Sequence, residues 1–276
     1  MSYYDFYRLN LEPFSNSPSA RFYYSSPQHE QALGKLRFGV GEMRGLMVVA
    51  GSPGSGKTIL ARRLLSPLPD SEYEAALFVI VHSAVSPEWL LRRIALQLGV
   101  RQPSGEKLAL LSQLFTRLVE IQRAGKKTVV LIDEAQMLAS KELMEEFRGL
   151  LNLELPGRKL LNIVLFGMPE IDSVLALDPP LAQRIAMRCR LGSFDASTTR
   201  SYILYRLALC GRDESLFSEA ALSAIHSKTQ GIPRLINTLC DNLLYEGALR
   251  QCPTIEEPLV HEVAQDLFLA LAPAPS

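Results

Sequence analysis

Leu46-Met47-Val48-Val49-Ala50-Gly51-Ser52-Pro53-Gly54-Ser55-Gly56-Lys57-Thr58 decides the reading of the chain. The apolar run predicts a buried strand, the glycines a turn, and Ile59-Leu60-Ala61-Arg62-Arg63-Leu64-Leu65 a helix. Gly51 to Thr58 fits G-x-x-x-x-G-K-[ST] in the strand–turn–helix setting that this pattern requires. The glycines let backbone N–H groups curl around a phosphate at the positive end of the following helix. In that arrangement Lys57 reaches the β- and γ-phosphates of a nucleotide, and the Thr58 hydroxyl holds Mg²⁺.

Working outward, 276 residues leave room for an α/β domain and a smaller second one. Formal net charge is zero, which argues against coating nucleic acid by bulk charge and leaves open a local basic patch. The four cysteines, Cys189, Cys210, Cys240 and Cys252, show no C-x-x-C spacing and sit among apolar residues. They read as buried thiols in a reducing compartment, not as disulfides or a metal site. Met1 is followed by neither a basic nor an apolar leader segment, and no apolar run reaches membrane-spanning length. The expectation is a cytoplasmic chain with no membrane span.

The segment 1–40 opens with Tyr3, Tyr4, Phe6, Tyr7, Phe14, Phe22, Tyr23 and Tyr24, interrupted by Pro13 and Pro18. These aromatics are expected to dock on a neighbouring surface, and a helix begins at Pro27. Phe14 and Phe22 could cover an adenine ring, although core packing suits each of them better. Within 41–194, strands are expected at Leu46–Ala50, Ala76–Val81, Thr128–Ile132, Leu160–Phe166 and Ala186–Leu191. Helices are expected over Ser86–Leu98, Lys107–Arg123 and Glu142–Leu153. Nearly all-apolar strands alternating with helices mean a parallel sheet covered on both faces. Ala186–Leu191 alternates instead, so it reads as an edge strand whose Arg188 and Arg190 face water. Residues 195–271 carry no further strand pattern and read as four helices, from Asp195, Ser218, Pro233 and Glu256. Residues 272–276 resemble a linker-like tail.

A second chemical signal is Val129-Val130-Leu131-Ile132-Asp133-Glu134, an apolar strand ending in two acids. Asp133 can hold Mg²⁺, and Glu134 can polarise the water that attacks the γ-phosphate. Arg234, in Gly231-Ile232-Pro233-Arg234, stands near a helix start where the dipole mildly disfavours a cation. It reads either as an arginine reaching the γ-phosphate or as a surface arginine. Arg184, in Ala182-Gln183-Arg184-Ile185, reads either as a finger entering a neighbour's site in trans or as a surface ion pair.

This order of motifs resembles the AAA+ ATPases. Within them the chain is similar to the general secretion pathway protein A family. The matching stretches are Glu12-Pro13-Phe14, Ser26-Pro27-Gln28-His29-Glu30-Gln31-Ala32-Leu33, Asp133-Glu134-Ala135-Gln136, Leu150-Leu151-Asn152-Leu153-Glu154 and Gly231-Ile232-Pro233-Arg234-Leu235-Ile236-Asn237. The resemblance implies an α/β AAA+ P-loop NTPase fold: a five-stranded parallel sheet plus a C-terminal all-helical lid domain. It implies a cytoplasmic ATPase with ATP and Mg²⁺ as cofactors, forming a homo-oligomer, ring or filament, around ATP. It further implies a protein partner, an inner-membrane secretion component, that would hold the chain at that membrane. Lys57, Thr58, Asp133 and Glu134 match the ATP and Mg²⁺ residues, Arg184 the trans finger and Arg234 the second sensor. Long members continue into a membrane span and a periplasmic peptidoglycan-binding domain, and this chain ends at Ser276 before either.

Two departures stand out. The family reads Gly-Gln-Pro-Glu where this chain has Gly167-Met168-Pro169-Glu170, and a thioether neither donates nor strongly accepts a hydrogen bond. It tends to have Asn where this chain has His82. The expectation is slow hydrolysis and switch-like behaviour. A competing reading is an ATP-dependent DNA-binding regulator like the transposition ATPases of the Mu B and TniB type. Arg62-Arg63, Arg92-Arg93 and Lys126-Lys127 would then line the ring.

Overall fold

The β-branched and aliphatic strands assemble as their patterns dictate. The computed structural model describes residues 2–17 and 20–269, so Pro18 and the 272–276 tail lie outside the described residues. The elements run α1 (Tyr3–Tyr7), α2 (Pro27–Gly41), β1 (Leu46–Gly51), α3 (Lys57–Leu65), β2 (Tyr73–Val79), α4 (Pro87–Gln97), α5 (Lys107–Arg123) and β3 (Lys127–Asp133). They continue with α6 (Lys141–Leu150), β4 (Glu154–Leu155), β5 (Arg158–Lys159), β6 (Asn162–Gly167), α7 (Ile171–Leu175), α8 (Pro179–Ala182) and β7 (Ile185–Leu191). Last come α9 (Ala196–Ala208), α10 (Glu219–Thr229), α11 (Pro233–Leu249) and α12 (Glu257–Asp266). They form two compact units: one comprises Pro27–Pro53 and Lys57–Leu191, the other the described residues before Pro27, Gly54–Gly56 and the described residues from Gly192 onward.

In the first unit five parallel strands pair in the order β2-β3-β6-β1-β7. Alternation along β1 explains why that strand is apolar throughout. Leu46, Val48 and Ala50 enter a core with Leu90, Leu118 and Phe147, while Met47 and Val49 enter another with Leu36, Leu60 and Leu64. α2 passes so close to the sheet that a Cβ on Gly39 would overlap the Met47 sulfur. β7 is an edge strand, as its alternation predicts. Arg188 and Arg190 on its exposed side both pair with Asp172, Arg190 at 3.1 Å. The predicted cap holds too: Ser86 Oγ accepts from Trp89 N–H at 3.1 Å with Pro87 in the first helical position.

Three differences from the expected elements have local causes. β2 begins at Tyr73, three residues before its apolar run, because Tyr73 to Ala75 pair with Lys127 to Val129. The turn after α6 holds a short antiparallel hairpin, Glu154–Leu155 with Arg158–Lys159, around Pro156-Gly157. α12 stops at Asp266, since Leu267 caps it and Phe268 takes φ +56.

In the second unit, Tyr7, Leu9 and Phe14 share one buried core with residues of α9, α10, α11 and α12. Tyr3–Tyr7 is a short helix started by a Ser2/Asp5 capping box. Burial pushes the Tyr7 hydroxyl up to about 12, and that hydroxyl donates to Cys252 O at 2.9 Å. Arg206 on α9 is buried, and its guanidinium donates to the backbone oxygens of Pro13 and, at 2.9 Å, Ser15. Its face lies 4.4 Å from the Phe22 ring. Phe14 and Phe22 are therefore packing residues of this unit. Asp195 and Ser218 cap α9 and α10 by accepting from Thr198 and Ala221 N–H at 2.7 and 3.2 Å. Cys189, Cys210 and Cys240 are buried free thiols, and Cys252 is partly buried.

Candidate functional site

β1 ends at Gly51, and α3 begins at Lys57, so the loop between them leaves the sheet at its carboxyl edge and opens a helix. Gly54 sits at the loop's tip with φ +79, a value that favours glycine. Within the second unit, a Cβ on Gly54 would stand 2.6 Å from Arg234 Cβ, and Arg234 N–H donates to Gly54 O at 3.4 Å. The Lys57 side chain is buried, and its Nζ donates to the carbonyls of Gly51 at 2.7 Å and Ser52 at 3.1 Å.

β3 lies two strands from β1, with β6 between them. It delivers Asp133, 1% exposed, to the same edge. Thr58 Oγ1 donates to Asp133 Oδ2 at 2.6 Å, joining loop and strand tip. The other carboxylate oxygen accepts the Glu134 N–H at 2.9 Å. Two hard oxygen donors in contact, a hydroxyl and a carboxylate, are the set that Mg²⁺ selects.

Glu134 follows with φ +58 and ψ +36, a left-handed backbone that costs a side-chain-bearing residue about 1–3 kcal/mol. That twist turns its carboxylate out of the strand's alternation. Gln136, in the one-turn 3₁₀ helix Ala135–Met137, donates from Nε2 to Glu134 Oε2 at 2.6 Å. The same amide accepts the Met168 N–H at 3.1 Å through Oε1. Gly167 leaves room for it: a Cβ there would lie 3.1 Å from Gln136 Oε1. The primary amide at this edge is thus Gln136, while residue 168 contributes its backbone. Gln136 is the site residue that sequence reasoning left without a role. The available signal was an amide two positions after the strand-tip acid, on a turn short enough to fold back on it.

His82, in the exposed segment after β2, makes no hydrogen bond to Glu134 among the described residues. Arg184 is exposed just before β7, and its Nη1 donates to Asn152 Oδ1 at 2.5 Å. Arg234 is the second residue of α11, with an exposed side chain.

Residues 41–175 match the AAA domain family model. General secretion pathway protein A of Aeromonas hydrophila is 37% identical over 252 residues, which is 90% of this chain and 45% of that protein. The chain thus carries an AAA domain and is similar over most of its length to general secretion pathway protein A. It spans less than half the length of that curated relative. Solved structures share the fold at low identity. The Aeropyrum pernix ORC2 protein superimposes with a TM-score of 0.66 at 17% identity, covering 93% of this chain and 72% of that one. The Drosophila ORC bound to DNA gives 0.69 at 19%, covering 97% and 66%. The Thermotoga maritima RuvB branch migration motor gives 0.60 at 17%, covering 93% and 74%.

Proposed function

We propose that this chain binds ATP with Mg²⁺ at Gly51–Thr58 and hydrolyses it, oligomerises around the nucleotide, and acts on a protein partner in envelope secretion or pilus assembly. The observation that carries the reading is the 2.6 Å hydrogen bond between Thr58 and Asp133, which joins the phosphate loop to the acidic strand tip. Bound there, Mg²⁺ would neutralise phosphate charge as the leaving group departs. Lys57 exchanges its loop carbonyls for β- and γ-phosphate oxygens. Glu134 accepts the proton of the attacking water, Gln136 aims that carboxylate, and Arg234 meets the γ-phosphate. Arg184 acts in a neighbouring copy. With Met168 offering no polar side-chain group at its position, turnover is slow and the ATP state behaves as a switch.

The test is Glu134→Gln. It should retain ATP, lose roughly 10²–10⁴-fold in single-turnover hydrolysis, and accumulate as an oligomer in gel filtration with ATP. Normal hydrolysis by that variant would remove Glu134 as the base. Mixing Arg184→Ala with Lys57→Ala subunits should partly restore activity, and no rescue would leave Arg184 structural. Met168→Gln should speed turnover.

Similarity to ORC proteins, one of them solved bound to DNA, favours a second reading as an ATP-dependent DNA-binding regulator. An ATP-dependent, salt-sensitive shift of duplex DNA would support it over the protein-partner reading. The working location under the first reading is the cytoplasm, at the inner membrane through the partner. Among the described residues no helix is long and apolar enough to cross a membrane.

A further inference from the structure

The edge of the sheet opposite the phosphate loop carries a second basic concavity. Three turns meet there: the one from α2 into β1, the one from α5 into β3, and the hairpin strand β5 with its approach to β6. They surround a cavity of about 450 Å³. Its rim carries Arg44, Lys126, Lys127, Arg158 and Lys159, against the single carboxylate of Glu42. In a chain of zero net charge, five cations around one opening are a local excess that folding must hold against repulsion.

The turns are held firmly. Buried Asn162 accepts the Gly45 N–H and donates to Val40 O, both at 3.0 Å, tying α2 and the first turn to the start of β6. Lys159 Nζ donates to Arg44 O at 3.0 Å, joining hairpin to turn. Met43 keeps φ +49 inside the first turn, an uncommon value for a side-chain-bearing residue.

The cations are positioned without being neutralised. Lys127 Nζ lies 5.8 Å from the centre of the Tyr73 ring, and the Arg44 guanidinium 5.5 Å from that of Phe38. Among the described residues, Lys126 alone of the five forms an ion pair, with Glu74 at 3.7 Å. Arg158 is exposed and forms no ion pair among the described residues.

We infer that this cavity binds a small, multiply charged phosphate group. Its volume suits one small ligand. Guanidinium forks match phosphate oxygens in pairs, and ammonium groups add point charge. Glu42 can accept from a hydroxyl beside the phosphate. The carrier is either a soluble phosphorylated compound or the headgroup of an anionic lipid, which share this chemistry. The inference stands apart from the nucleotide reading, because the cavity lies at the other end of the strands.

Inorganic pyrophosphate is titrated calorimetrically into the Lys57→Ala chain, whose phosphate loop is disabled. Binding that weakens with salt is expected, falling about tenfold on adding Lys127→Ala or Arg158→Ala. ATP hydrolysis by Arg158→Ala alone should be unchanged. Flotation with vesicles of phosphatidic acid, whose phosphomonoester can carry more than one negative charge, and phosphatidylcholine, against phosphatidylcholine alone, separates the carriers. Salt-sensitive flotation lost in Arg158→Ala identifies a headgroup, and pyrophosphate binding without flotation identifies a soluble compound. Absence of pyrophosphate binding in Lys57→Ala, or binding that neither added substitution weakens, overturns the proposal. So does duplex DNA binding that depends on Arg158 when pyrophosphate does not bind.

Discussion

The two ends of the parallel sheet use charge in opposite ways. At the carboxyl end, Lys57, Thr58, Asp133, Glu134 and Gln136 sit at strand tips or on the turns beside them, each bonded to a named partner within 3.1 Å. At the amino end, Arg44, Lys126, Lys127, Arg158 and Lys159 stand on turns, largely steadied by rings and carbonyls. Under the proposed function the first arrangement would set the position of each reacting atom, so a single substitution there should be costly. The second sets a potential, to which each cation adds a share. Precise geometry and summed charge should therefore fail differently under mutation.

The sharpest break is Lys57→Ala. It should cost about a hundredfold or more in ATP affinity by fluorescent-nucleotide titration, because it removes a buried charge that the phosphates need. If ATP still bound tightly, the carboxyl end would not be the position-sensitive one. Gln136→Ala comes next. Turnover should fall roughly tenfold to a hundredfold as the Glu134 carboxylate loses its aim, with ATP affinity unchanged. A change confined to ATP affinity would make Gln136 a packing residue.

Asp178 supplies a smaller, pH-dependent effect. Burial would raise its pKa, but the Leu181 N–H and the Arg148 guanidinium at 2.9 Å outweigh burial and hold it below the ordinary carboxylate range. A lowered folded-state pKa gives stability that is present above the unfolded value of about 3.9 and lost as pH falls through the folded one. The stability that Asp178 contributes should thus be lost below about pH 4, and Asp178→Asn should flatten the acid-side fall in Tm. Parallel melting curves would contradict the assignment.

Much of this site could be read from the chain because its parts are local. Leu46 to Thr58 carries strand, turn and helix start in one stretch, and Val129 to Glu134 carries its acids at the end of its own apolar run. Ser86-Pro87 and Asp195 announced their helices by side chains that satisfy their own backbone. What escaped depends on partners distant in sequence. The Tyr73–Ala75 start of β2 exists because β3 pairs with it. The 154–159 hairpin is too short to show a period. Gln136 acquires a role only when β6 brings Met168 beside it, and the basic cavity only when three turns converge.

The left-handed backbone of Glu134 carries a consequence of another kind. The residue offered as the base is held in a conformation that glycine adopts at little cost. Glu134→Gly should therefore abolish hydrolysis while raising folding stability by up to about 1 kcal/mol. Under the proposed function the chain would give up a little robustness at one residue in order to hydrolyse ATP, so selection for heat resistance alone would tend to silence it.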